Sequence, residues 1–233
     1  MAKVHPQAWV DSTAHLGPDV TVGAFAVVEA QAQIGQGSQI GPHCFVAQGV
    51  VVGEQCYLEA GCVLLPNARI GSHCRLAAGV VIGSSGFGFV LHQGQHLPIP
   101  QVSGVEIGSA VTIGPGSCID RGTLSPTRLG SQVEIGGQVQ IAHNVTIGER
   151  SRLDHQVGIA GSSSIGADCH LGLQSGMAGQ ASLGDRSKLA VRGGNLRKAP
   201  PDSDLWGFPA RPKKEALKAQ AALARLAKSQ DPS

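Results

Sequence analysis

The chain has 233 residues, of which 15% are charged and 3% aromatic, with a formal net charge of +2. So small a charge excess and so few rings argue against a nucleic-acid surface, which needs a concentrated basic face or stacking platforms. No apolar run reaches the roughly 18 residues of a membrane helix, and a repeat begins almost at Met1, so neither a span nor a secretory leader is expected.

From Val4 an aliphatic residue recurs at every sixth position, through Val10, Leu16 and Val22, as far as Ile82. The beat resumes at Ile107, Ile113 and Ile119, slips by four residues, and runs from Leu129 to Leu189. Four residues after each aliphatic sits a second inward candidate, usually small, such as Ala8, Ala26, Ser38 or Cys44. That slot is also two residues before the next aliphatic, and residues two apart on a strand face the same side. A short fixed period of this kind predicts an all-β solenoid of hexapeptide repeats. Three hexapeptides, about 18 residues, make one triangular coil, with coils roughly 4.8 Å apart. Glycine often follows the aliphatic, an expected sign of turns with unusual φ. The predicted organisation is a β-helix over 4–195, with loop insertions at about 83–104 and 120–128. A linker over 196–212 and a C-terminal α-helix over 213–229 follow.

Five of the six cysteines (Cys44, Cys56, Cys62, Cys74 and Cys169) fall in the small inward slot, where a free thiol acts as a small hydrophobe. Cys118 is out of phase. With no C-x-x-C pair, neither a metal site nor a disulfide framework is expected, and the reading is a reduced, cytoplasmic protein.

The breaks in the beat are the places to look for function, because insertions project from one face of a solenoid. The first carries Phe87 and Phe89, which either line an apolar substrate groove or pack the loop onto the coils. Its Gly86-Phe87-Gly88 run lacks the Lys-Ser/Thr of a phosphate loop. The second holds Asp120 and Arg121, which either position a substrate or sit in a solvated turn. His143 lies two residues past Ile141, outward by phase, and an imidazole is the usual general base near neutral pH. One coil further on is Gly161, whose bare backbone leaves an N–H open to an oxyanion. In the tail, the run from about Lys213 to Lys228 has high helix propensity and a basic side with Lys213, Lys214, Lys218 and Arg225. It reads either as a solvated helix or as a landing surface for an acidic partner.

Gly86-Phe87-Gly88-Phe89, Ile99-Pro100-Gln101, Ile119-Asp120-Arg121-Gly122, Gln140-Ile141-Ala142-His143-Asn144-Val145 and Ala160-Gly161-Ser162 occur in one order on one hexapeptide frame. Together they resemble the UDP-3-O-acylglucosamine N-acyltransferase (LpxD) family over about residues 4–215. The resemblance implies a left-handed parallel β-helix, a homotrimer with sites between subunits, and acyl transfer from an acyl-carrier-protein thioester to the amine of an amino-sugar nucleotide, in lipid A biosynthesis. It implies no cofactor and no metal. It makes His143 the base, Gly161 N–H the oxyanion donor and the basic terminal helix the carrier-protein contact. Phe87, Phe89, Gln140, Asn144 and Gln180 become substrate-binding positions. With the repeat starting at residue 4, no counterpart of the family's N-terminal uridine-binding domain is expected; the family's second histidine falls at Gln180, and its Asp-Asn pair before the base motif is Gly136-Gly137. Two other readings stand beside this one: a coenzyme A-dependent acyl- or acetyltransferase on another amino sugar, and a non-catalytic trimeric binding protein.

Overall fold

A computed structural model describes residues 1–229, with side chains described through Leu226; Lys228 of the basic run therefore lies outside the described side chains. The chain winds into a three-faced parallel solenoid. Its short strands repeat every 18 residues, so that Lys3 pairs with Thr21, Trp9 with Val27 and His15 with Gln33. Stacked coils make three sheets of 12, 10 and 10 strands, here called the first, second and third face in the order the chain visits them.

The core follows the beat. Ile34, Leu58, Ile82, Ile141 and Leu171 are each at most 2% exposed. Fully burying such a side chain is worth about 1.5–3 kcal/mol, but only where the coils on both sides exclude water. Val4, in the first coil, is on the beat and still 44% exposed. The five in-phase cysteines are buried and free. Their thiols donate to a carbonyl of the next coil, fifteen residues on except across the first insertion: Cys44 Sγ to Glu59 O at 3.0 Å, Cys169 Sγ to Gly184 O at 3.1 Å and Cys74 Sγ to Gly108 O at 3.2 Å. Ser38 and Ser151 make the same bond to Gly53 O and Gly166 O. Cysteine in this slot is thus a buried donor to the next coil as well as an apolar filler. Cys118 faces outward on the second face, half-buried, with its thiol pushed up by that burial and by Asp120.

The glycines that follow the aliphatics have a different cause from the one expected. The left-handed residue of each turn is usually the third after the aliphatic, as in Asp19, Phe25, Gln31 and His43, whose φ values are near 57°. The glycine directly after the aliphatic is instead forced by stacking. A Cβ on Gly35, Gly114 or Gly148 would lie 2.5 Å from the backbone of the next coil. The corner after the third face carries glycine there in every coil from Gly17 through Gly35, Gly53 and Gly71 to Gly184.

The first insertion is looped out between Ile70 and its partner Ile107, and the second between Ile107 and Leu129. The first folds as an antiparallel hairpin, Phe89–His92 with Gln95–Pro98. The segment 196–212 is a correction to the predicted linker, because it continues the solenoid. Lys198–Ala199 pairs with Ser182–Leu183, and Leu205 with Leu189. The beat hid this because Asn195 occupies an aliphatic slot, 3% exposed, with its Nδ2 donating to Ser182 O. Arg211–Pro212 folds back antiparallel and leads into helix α1, Lys213–Ser229, which packs on these last strands.

Candidate active site

His143 stands at the corner between the second and third faces, anchored by the strand Gln140–Ile141 with Ile141 fully buried. Asn144 takes the left-handed turn position there, φ 60°, a conformation that asparagine tolerates better than most residues. The outward imidazole occupies space that two glycines leave open. A Cβ on Gly86 would lie 2.8 Å from His143 Cβ, and one on Gly161 would lie 2.5 Å from His143 Nε2. Ser162 N–H donates to His143 O at 2.9 Å, locking the two coils in register. Gly161 N–H has no hydrogen-bond partner among the described residues.

The tautomer of His143 follows from its neighbour. Nδ1 is 3.0 Å from Asn144 Oδ1. Asn144 Nδ2 donates to Ser125 O at 2.8 Å, so the amide oxygen must face the imidazole. An amide oxygen only accepts, so the network assigns the proton to Nδ1 and leaves the Nε2 lone pair free on the side of Gly161. A neutral imidazole with a free Nε2 beside an open N–H can remove a proton from a nucleophile while the N–H receives developing negative charge.

Beside the base is a buried carboxylate. Asp120, 7% exposed, accepts from Ser84 Oγ at 2.6 Å and Gln140 Nε2 at 3.1 Å. Burial pushes its carboxyl up, against the pull of those two donors and of His143. Arg121 Nε donates to Gly83 O at 2.6 Å. Asp120 and Arg121 therefore clasp the two insertions together and do not form a solvated turn.

The other expected residues divide. Phe87 and Phe89 meet edge to face at 5.1 Å and line an open hollow of about 490 Å³ with His96. Phe87 is 86% exposed, so it does not pack the hairpin onto the coils. Gln140 and Asn144, expected to touch substrate, have their amides engaged with Asp120 and with the second insertion, so each also supports its neighbouring groups. Gln180 lies exposed at the same corner one coil beyond Gly161, to whose carbonyl its backbone N–H donates at 3.1 Å. Lys213, Lys214, Lys218 and Arg225 are exposed on α1, about four coils or roughly 20 Å along the axis from His143. The sequence reading missed Ser84, Thr123 and Thr127. Thr127 is fully buried, and its Oγ1 accepts Asn144 N–H at 2.9 Å. Their only signal was a polar insertion bordered by strand-like residues. No group of three or more His, Cys, Asp or Glu among the described residues is disposed to hold a metal.

This is a hexapeptide-repeat protein of the left-handed parallel β-helix class. The bacterial transferase hexapeptide family (six repeats) matches residues 13–48 and 49–84, and the hexapeptide repeat of succinyl-transferase matches 31–66 and 163–190. The solved UDP-N-acetylglucosamine acyltransferase of Arabidopsis superposes with a TM-score of 0.68 at 19% identity, covering 93% of this chain and 76% of that one. That of Campylobacter jejuni gives 0.62 at 21%, covering 95% and 83%. In sequence the chain is related to the UDP-3-O-acylglucosamine N-acyltransferases, as its motifs suggested. It is 40% identical to the protein of that name from Pseudomonas syringae pv. tomato over 152 residues, 65% of this chain and 43% of that one. It is 48% identical to the one from Shewanella frigidimarina over 150 residues, 64% and 44%. The chain thus spans under half the length of these relatives.

Proposed function

We propose that the chain is an N-acyltransferase that moves an acyl group from an acyl-carrier-protein thioester to the amine of a UDP-linked glucosamine, in lipid A type biosynthesis. The observation that carries this reading is the juxtaposition of His143 Nε2 with the unbonded N–H of Gly161, in a chain related to enzymes named for that reaction. The acceptor nitrogen attacks the thioester carbonyl carbon. His143 Nε2 takes the proton that nitrogen loses, and Gly161 N–H holds the oxyanion. Collapse breaks the C–S bond, and the imidazolium returns its proton to the departing thiolate, leaving amide and thiol. Asn144 holds the base tautomer throughout. Phe87 and Phe89 offer an apolar wall beside the site, and Gln180 remains free to meet the sugar nucleotide. The basic side of α1 suits the acidic surface of a carrier protein. We assign the working form as a cytoplasmic homotrimer. No helix among the described residues is long and apolar enough to cross a membrane.

The test is turnover of a 3-O-acyl UDP-glucosamine with acyl-carrier-protein and acyl-coenzyme A donors in parallel. His143→Ala should lower kcat by about 10²–10⁴ with the fold intact, since no core packing is lost. An unchanged rate in that variant removes the mechanism. Turnover with the coenzyme A donor alone replaces the carrier protein. No turnover with either donor leaves a binding protein.

A further inference from the structure

The two insertions meet each other directly behind the imidazole, and the bonds between them can be ordered. Gln101, 9% exposed, donates from Nε2 to Ile99 O at 3.1 Å, which turns its amide oxygen toward Thr123. Thr123 Oγ1 lies 2.8 Å from Gln101 Oε1 and 2.9 Å from Asn144 Oδ1, two oxygens that only accept. The hydroxyl has one proton. Asn144 Oδ1 already receives Thr123 N–H at 3.1 Å and His143 Nδ1–H at 3.0 Å, which fills its two lone pairs. Gln101 Oε1 has no other donor among the described residues, so the hydroxyl proton goes there. The backbone follows the same path, because Val102 N–H and Ser103 N–H both donate to Thr123 O, at 3.1 and 3.2 Å. A single ordered chain results, from Ile99 O through Gln101, Thr123 and Asn144 to His143 Nδ1. Its outer end is the base of the hairpin that bears Phe87 and Phe89.

We propose that Gln101 and Thr123 are a positioning pair that seats the first insertion against Asn144 and thereby fixes the Nε2-free tautomer of His143. This rests on the reading of His143 as the base. Neither residue touches the reacting atoms; each acts through the next. The arrangement makes the base competent only when the hairpin is seated, so the apolar hollow and the proton acceptor are set by one network. Thr123 is suited to this because its hydroxyl and its N–H point to different partners. A valine of the same shape would keep the N–H and lose the bond to Gln101.

The experiment uses the full chain with ¹⁵N-labelled histidine, the His143 signals being assigned by their loss in His143→Ala. In the wild type the neutral imidazole should carry its proton on Nδ1. Thr123→Val and Gln101→Leu should each bring in the Nε2-protonated form and lower kcat by about 10–100-fold, the usual scale for outer partners of a functional imidazole, with KM changed less than about twofold. Thr123→Ser should restore both the tautomer and the rate. Thermal unfolding of each variant reports whether the fold is kept. If Thr123→Val does not fold, Gln101→Leu against wild type decides. The proposal is overturned if the tautomer stays on Nδ1 in a folded Thr123→Val or Gln101→Leu, or if Thr123→Ser is as impaired as Thr123→Val. If His143→Ala keeps the wild-type rate while Thr123→Val shifts the tautomer, the base assignment falls and the positioning network stands.

Discussion

Gly161→Ala tests the geometry of the site with a single methyl group. The new Cβ would lie 2.5 Å from His143 Nε2 and 2.7 Å from Cε1, whereas ordinary contacts begin near 3.4 Å. The imidazole must retreat by about 1 Å. The room for that retreat is limited, because the ring is also close to Gly86, where an added Cβ would lie 2.8 Å from His143 Cβ and 3.0 Å from Cδ2. A displacement of about 1 Å at a reacting group costs on the order of 10²-fold in rate, or roughly 2.7 kcal/mol of barrier. The alanine keeps the N–H, so the loss reports the position of the base and not the removal of the oxyanion donor. Steady-state kinetics on Gly161→Ala should show kcat reduced by about 10² with a thermal midpoint close to wild type. Gly158→Ala is the stability control, since a Cβ there meets nothing within 4 Å. A Gly161→Ala enzyme with the wild-type kcat would mean that the imidazole does not stand over this glycine during turnover.

Three further outcomes follow from the packing and the charges. Ile147, 1% exposed, should not tolerate Asp: Ile147→Asp buries an unpaired carboxyl and should cost about 4 kcal/mol or more by urea unfolding, whereas a polar change at the outward Thr146 should stay within about 0.5 kcal/mol. Gly148→Ala should lose about 1–3 kcal/mol although Gly148 has no left-handed φ, because its Cβ would lie 2.5 Å from Ala167 N; a neutral result would overturn the stacking account of these glycines. Asp120 has its carboxyl raised, first by burial, so the folded state holds that proton more tightly than the unfolded state. Its contribution to stability is therefore most favourable below the ordinary carboxylate pKa of about 3.9 and is lost as pH rises through the folded value. The stability of Asp120→Asn relative to wild type should accordingly improve from pH 4 to pH 7 in parallel denaturation series. A flat difference would place Asp120 in a more solvated setting than the fold gives it.

Much of the fold was legible in the sequence because a β-helix writes its core into the chain at a fixed period. Each strand contributes an aliphatic and a second inward residue two positions before it, and Ile141 or Leu58 is buried for the same reason as every other residue on the beat. The reading failed where one letter has two physical causes. Glycine after the aliphatic suggests a turn requirement, yet the left-handed turn position falls two residues later, on residues such as Gln31 and His43. The signal that separates the two causes is the period of 18 in those glycines, which marks one corner of the triangle. The end of the solenoid was misplaced because Asn195 serves as a core residue through a hydrogen bond, which a hydrophobic pattern cannot register.

The site was half legible for a related reason. His143 and Gly161 lie on the repeat, so a step of 18 residues brings them together on paper as the coils do in space. Asn144, Thr123 and Gln101 are joined across two insertions whose lengths break the period, and no spacing rule reaches across them. The division is physical. Residues on the beat are placed by stacking, which is rigid and sets the imidazole over Gly161 one coil on. Residues in the insertions are placed by hydrogen bonds to one another, and these decide which nitrogen of that imidazole is free. A change on the beat should therefore move the base, and a change in the insertions should alter its protonation without moving it. The contrast between Gly161→Ala and Thr123→Val measures that difference directly: both should lower kcat, but only the second should shift the ¹⁵N tautomer signal.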